Sequence, residues 1–266
     1  MQVSSTAMLL SSAFLVFSYL EVAAELSGRE IMEKNFQITK LSRIHNEHTM
    51  ILVNNKGQER VRKLTAVSLL QPNGVDSHLL IRFQFPGDVR GTGFLQLQHS
   101  AGTDELWVYL PGVKKVRRLV ASNKRDSFFG SEFTYGDLLL PVVDTFHHTF
   151  QRREKLGNDL CLVVESSPAN PSIASEYGYS KKVSWILASN FHERRIDYYD
   201  ERGRPWKTQE ASNFQQVQTE PARWWANRRE MRNLQTSYKT IIVFDRVDTR
   251  RTVPKDLFTP QSLERG

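Results

Sequence analysis

The feature that leaves this chain the fewest folds is a period-two alternation of apolar and polar residues, renewed along almost its whole length. It recurs in "MILVN", "KLTAVSLL", "HLLIRFQF", "GFLQLQH", "ELWVYLP", "KKVRRLV", "TFQRREKL", "DLCLVVES", "KVSWILAS", "RRIDYYD", "RPWKTQEASNF", "EMRNLQT" and "YKTIIVFDRV". Successive side chains of a β-strand point to opposite faces, so each run reads as a strand. Turn signals such as Asn54-Asn55-Lys56-Gly57, Asn73-Gly74, Gly157-Asn158 and Asp200-Glu201-Arg202-Gly203 separate the runs at hairpin spacing. The expected object is mainly β: one large antiparallel meander, which has to curl or close to hide its edges. Several strands are apolar on both sides. In "HLLIRFQF" Leu79, Ile81, Phe83 and Phe85 share a face, and in "ELWVYLP" Leu106, Val108 and Leu110 oppose Trp107 and Tyr109. Two covered faces imply that something fills the concave side too.

One helix is expected near the start. In "ELSGREIMEKNFQITKLS" Ser27 is placed as N-cap with Glu30 at capping-box spacing, and Ile31, Asn35 and Phe36 follow on successive turns. Ahead of it, "AMLLSSAFLVFSYLEVAA" is an apolar run of signal-peptide length ending in the small residues Val22-Ala23-Ala24. Residues 1–24 are therefore expected to be a signal peptide cleaved after Ala24, with an uncleaved anchor as the alternative. Residues 25–266 show no Pro/Gly/Ser linker, repeat or low-complexity tract, and are expected to form a single domain. No later apolar run is long enough for a membrane span.

The search for chemistry excludes more than it finds. There is no nucleophile elbow, nucleotide loop, zinc-protease helix or paired-cysteine metal signature, so no enzyme, no cofactor and no metal is expected. His45 and His48 lack a third convergent ligand and read as a solvated pair, and the adjacent His147 and His148 point to opposite faces of a strand. The lone Cys161 lies in the apolar run "DLCLVVES" and reads as a small buried hydrophobe. The formal charge of +7 comes from 36 basic and 29 acidic residues. "RWWANRREMRN" reads as a solvated sheet face whose arginine stems cover apolar surface, and no nucleic acid is expected. Arg117, Arg118 and Arg125 are candidates for contact with lipid headgroups or an acidic partner.

Residues 125–141, "RDSFFGSEFTYGDLLLP", are too broken for a helix and too aromatic for an ordinary loop. Within residues 106–138, "LWVYLPGVKKVRRLVASNKRDSFFGSEFTYGDL" resembles the signature of the outer membrane lipoprotein-sorting protein family, with Glu132 where the family usually has Asp. The similarity continues through "YYDERGRPWKT", "REMRNLQTSYKTIIVF" and "LFTPQSLER".

The resemblance implies a LolA-like fold, an unclosed antiparallel β-barrel covering a few short helices, with a greasy cavity for acyl chains. It implies a monomeric periplasmic carrier or chaperone of lipid or lipoprotein acyl groups, working with an RND-type inner-membrane exporter. The alternative is an accessory module that docks on such a transporter without carrying lipid. On this reading Ile81, Phe83, Phe85, Leu95, Leu97, Trp107, Tyr109 and Trp185 are expected on the cavity wall. Phe128, Phe129, Phe133 and Tyr135 are expected to form a lid that flexes at Gly130 and Gly136. Alternation does not say which face is concave, so Trp107 and Tyr109 exchange roles with Val108 in the two settings.

Overall fold

The structure, a computed structural model, describes residues 26–120, 124–140 and 142–265; the expected signal segment lies outside the described residues. Helix α1 (Gly28–Thr39) starts at the box read from the sequence. The Ser27 hydroxyl accepts from the Glu30 N–H, and the Glu30 carboxylate accepts from the Ser27 N–H at 2.8 Å. Its buried stripe holds Ile31, Met32, Asn35 and Phe36. A side chain on Gly28 would stand 2.6 Å from the backbone nitrogen of Phe150, so glycine is what lets the first turn lie directly on a strand.

The strands are β1 (Arg43–Val53), β2 (Glu59–Leu70), β3 (Ser77–Phe85), β4 (Gly93–Gln98), β5 (Glu105–Leu110), β6 (Lys115–Leu119), β7 (Phe146–Leu156), β8 (Asp159–Pro168), β9 (Tyr179–Leu187), β10 (Glu193–Asp200), β11 (Pro205–Gln218), β12 (Arg223–Asn233) and β13 (Lys239–Asp248). A short helix, α2 (Pro171–Tyr177), joins β8 to β9, capped by Asn170 and ended by Gly178 in the left-handed region. Together the strands make one 13-stranded sheet in the order β6-β5-β4-β3-β2-β1-β13-β12-β11-β10-β9-β8-β7. Every neighbouring pair is antiparallel. The first and last strands meet in the middle, and β6 and β7 remain as two free edges. The barrel is unclosed between them.

Register sorts the two faces, because directly opposed residues share a side of the sheet. Met50 opposes Ile242, Leu64 opposes Phe83, Ile81 opposes Phe94, and Phe94 opposes Val108. These residues, with Ile196, Tyr198 and Met231, form the concave core. Helix α1 lies on the same side of β8 and β9, against Leu162, Val164 and Ile186. The outer side of β3 and β4 is covered differently. Leu80 and Leu95 are buried there beneath Phe258 and Leu263 of the C-terminal segment. Arg82 fastens that segment by donating to the carbonyls of Ser262 and Leu263.

Between β6 and β7 the chain crosses from one sheet edge to the other over the concave face. This crossing strap carries short 3-10 turns at Phe128–Gly130, Tyr135–Leu138 and Val143–Thr145.

Candidate functional site

The strap is built into the core along its length. At its start Lys124, 8% exposed, sits between Asp104 at 2.8 Å and Glu176 at 3.0 Å. The Phe129 carbonyl accepts from Arg62 of β2 at 2.6 Å. The Glu132 N–H donates to Thr240 of β13 at 2.9 Å, and its carboxylate accepts from Asn233 of β12 at 2.8 Å. Asp137 caps the turn begun by Thr134 and pairs at 2.6 Å with Lys207 of β11; both are buried. The rings of Phe83 and Phe94 lie 6.1 and 5.5 Å from Phe128, with Tyr135 at 5.6 Å.

These contacts set the segment expected as a lid into the core. Phe128, Phe133 and Tyr135 are buried, and a side chain on Gly136 would press to 3.0 Å against the Tyr177 ring. Gly130, at φ +76°, supplies the left-handed conformation of a tight turn.

Between the inner side of the strap, the end of α1 and the concave sheet lies a cavity of about 310 Å3. Its apolar lining includes Met50, Ile81, Phe146, Ile196, Tyr198 and Ile242, and the strap contributes Phe128, Phe133 and Leu138. Of the residues expected on the wall or lid, Ile81, Phe128 and Phe133 face the cavity. Phe83, Phe129 and Tyr135 belong to the core cluster behind them. Leu95, Leu97, Trp107 and Tyr109 lie instead on the outer face, packed with Phe258 and Leu263. Trp185 is also on the outer face, clustered with Cys161, Val163 and Leu187, and Phe85 is 46% exposed at the end of its strand. The cause is plain in the chain. Residues 94–98 are buried on both faces or nearly so, and alternation alone cannot rank two apolar faces.

Sequence reasoning missed a polar share of the lining: His48, Gln96, His192, Glu193 and Arg229. Burial lowers the pKa of His48 and of His192 to about 4, and Arg229 adds to both shifts, so both rings are neutral at neutral pH. His48 Nδ1 lies 2.7 Å from Asn46 Oδ1. The signal for Arg229 was its register: it shares a face with buried Met231, opposite Ile242. Among the described residues no group of three or more His, Cys, Asp or Glu converges in metal-binding geometry. His148 is instead engaged by Ser166 at 2.8 Å and the Val143 carbonyl at 3.0 Å, and the Cys161 thiol is buried with its pKa pushed up by burial.

The three surface arginines divide between two places. Arg117 and Arg118 are exposed on edge strand β6, with the Arg118 guanidinium 5.4 Å from the Trp107 ring centre. Arg125 pairs at 3.1 Å with Glu201 of the β10–β11 turn.

A family model described only as an uncharacterized protein matches residues 75–265. None of the curated proteins matches the chain. Among solved structures, an outer membrane lipoprotein-sorting protein domain from Vibrio parahaemolyticus superposes with TM-score 0.82 at 28% identity, covering 89% of this chain and 98% of that one. A DUF1329 family protein from Desulfovibrio piger gives TM-score 0.82 at 24% identity, covering 89% and 97%. A LolA superfamily protein from Nitrosomonas europaea shares the fold at TM-score 0.69 and 19% identity, covering 88% and 98%.

Proposed function

The chain belongs to the outer membrane lipoprotein-sorting, LolA-like family, and on that premise we propose that it is a periplasmic carrier that shelters an acyl chain of a lipid or lipoprotein in its concave cavity. The observation that carries the reading is the cavity itself. A module that only docks on a transporter has no need of a vacant apolar space inside its sheet, whereas a carrier does. At about 310 Å3 the space lies at the lower end of the roughly 300–1,000 Å3 range of ligand pockets, which suits a single chain. Each methylene moved from water into it contributes about 0.8 kcal/mol, so about ten contribute on the order of 8 kcal/mol before the entropy of binding is subtracted. Transfer of this kind needs no covalent chemistry.

Export by way of residues 1–24 and release after Ala24 belong to the same reading, as does an RND-type exporter as partner. Exposed Arg117 and Arg118 on the free edge β6 are the surface assigned to that partner or to lipid headgroups. Arg117→Gln with Arg118→Gln should weaken and flatten the salt dependence of binding to anionic vesicles; unchanged binding at low salt removes the edge from the interface.

The reading is tested by native mass spectrometry of protein purified from the periplasm without detergent. A population carrying the mass of an acyl lipid is expected. Protein that is empty as isolated, and still empty after exposure to lipid vesicles, would favour the docking module.

A further inference from the structure

Arg229 is a half-buried cation of the cavity wall that, among the described residues, no carboxylate engages within ion-pair distance; Glu193 acts on it only from farther off. It projects from β12 into the cavity lining, and burial pushes its pKa below the ordinary arginine value. Among the described residues its guanidinium makes no hydrogen bond and no ion pair. Its neighbours are two rings, Trp225 at 5.0 Å and Phe244 at 5.7 Å from the guanidinium carbon. Those rings stand edge to face, 5.1 Å apart, and the His48 ring lies tilted against Phe244 at 5.4 Å. The Trp225 indole N–H is itself buried without an acceptor, and Trp225 lines the same cavity. Two unused donors thus stand side by side at one end of an apolar space.

The surrounding charges offset this one only from a distance. His48 and His192 are neutral, as described above. Glu193, in the cavity wall, accepts from Ser184 at 2.9 Å; it favours the charged form of Arg229 through space without pairing with it. Asp245 faces Thr49, and Asp137 is taken by Lys207. A second cavity cation, Lys182 of β9, is 6% exposed, lies over the Phe146 ring at 5.3 Å and acts on His148; it is three strands away from β12. A cation drawn out of bulk water with no ion-pair partner at hand is costly. Its place in the wall of a largely apolar cavity points to a negative charge that arrives with the ligand.

We infer that the cargo is a single-chain amphiphile ending in an oxyacid, a carboxylate or a phosphate, whose head is bound by the Arg229 guanidinium and the Trp225 indole N–H while its chain lies along Met50, Ile196 and Ile242. This deepens the carrier reading and rests on it. The planar guanidinium fork matches either oxyacid with two parallel hydrogen bonds, which a lysine ammonium does not. The aromatic walls exclude water, so each hydrogen bond made there is stronger than at a surface.

The test compares binding of palmitate, 1-palmitoyl lysophosphatidate, hexadecanol and inorganic phosphate to the exported protein, by competition against a fluorescent fatty acid. The two anionic amphiphiles should bind at least tenfold more tightly than hexadecanol, and phosphate alone should not compete. Arg229→Gln should abolish the preference by weakening the two anionic amphiphiles far more than hexadecanol, and Trp225→Phe should reduce it severalfold; Lys182→Met should leave the preference in place. Equal affinity for palmitate and hexadecanol in the wild-type protein would overturn the inference without any variant, as would a preference that survives Arg229→Gln or follows Lys182 instead. Competition by free phosphate would make the site one for a loose oxyanion, against the proposal. Hexadecanol binding without anion preference removes this inference and spares the carrier reading; binding of no amphiphile at all removes both.

Discussion

Phe128 and Phe129 are consecutive, yet they do different work. Phe128 is 1% exposed and sits amid Phe83, Phe94 and Tyr135, whereas Phe129 is partly buried, in the left-handed region at φ 50°, with its carbonyl held by Arg62. Phe128→Ala should therefore cost about 3–5 kcal/mol of apo stability, lowering Tm by roughly 6–20 °C, with Phe129→Ala costing distinctly less. Thermal melts of the two variants check this; equal small shifts would mean the strap is not core. His48, His148 and His192 make a second residue-scale prediction. Burial is the first cause of each shift, and each folded pKa falls from 6.5 to about 4. The unfolded chain binds protons that the folded one refuses, so their contribution is fully present above pH about 6.5 and is lost as pH falls toward 4. Urea midpoints should drop across that window, and His48→Gln with His192→Gln should flatten the drop. At this scale the sequence is least legible. Arg229 lies among Arg228 and Arg232, which pair with Glu230, and only its alternation with buried Met231 and its register opposite Ile242 set it apart.

At the scale of elements, the strands were legible because alternation is a local property: each run read from sequence is a strand, in chain order, within one meander. Their sidedness was not. Leu95 and Leu97 are as apolar as Phe94, because the C-terminal segment covers the outer face that would otherwise be polar. The anchoring of the strap was not legible for a related reason. Gly130 and Gly136 suggest flexibility, but the groups that fix it, Arg62, Lys207, Asn233 and Thr240, come from distant strands. The Lys207–Asp137 pair is the most enclosed of these. Removing one partner strands a buried charge, so Lys207→Met should cost about 3–5 kcal/mol, and replacing both with apolar residues should recover much of it. Denaturant titration of the single and double variants measures this; a single variant within 1 kcal/mol of wild type by the usual surface tolerance would mean that the strap is not pinned there.

For the whole molecule, the free edges β6 and β7 and the strap that crosses between them define an open barrel with its centre incompletely filled. A sheet of this breadth needs a core, and the chain supplies one at both ends, α1 on β7 to β9 and the aromatic strap on β2 to β5, leaving the cavity between. The existence of an interior filling was legible from two-faced strands, while its vacancy depends on how two distant fillers fall short of each other. The central claim is that this gap is where an acyl chain lies. Ala66 on β2 and Ala211 on β11 are small residues of the cavity lining, on opposite sides of the β1–β13 junction. Filling the gap with Ala66→Phe or Ala211→Phe, and measuring lipid occupancy by native mass spectrometry beside wild-type protein, tests the claim most directly. The account predicts that at least one filled variant keeps a cooperative melt and loses bound lipid. Folded variants that carry lipid at the wild-type level would contradict it.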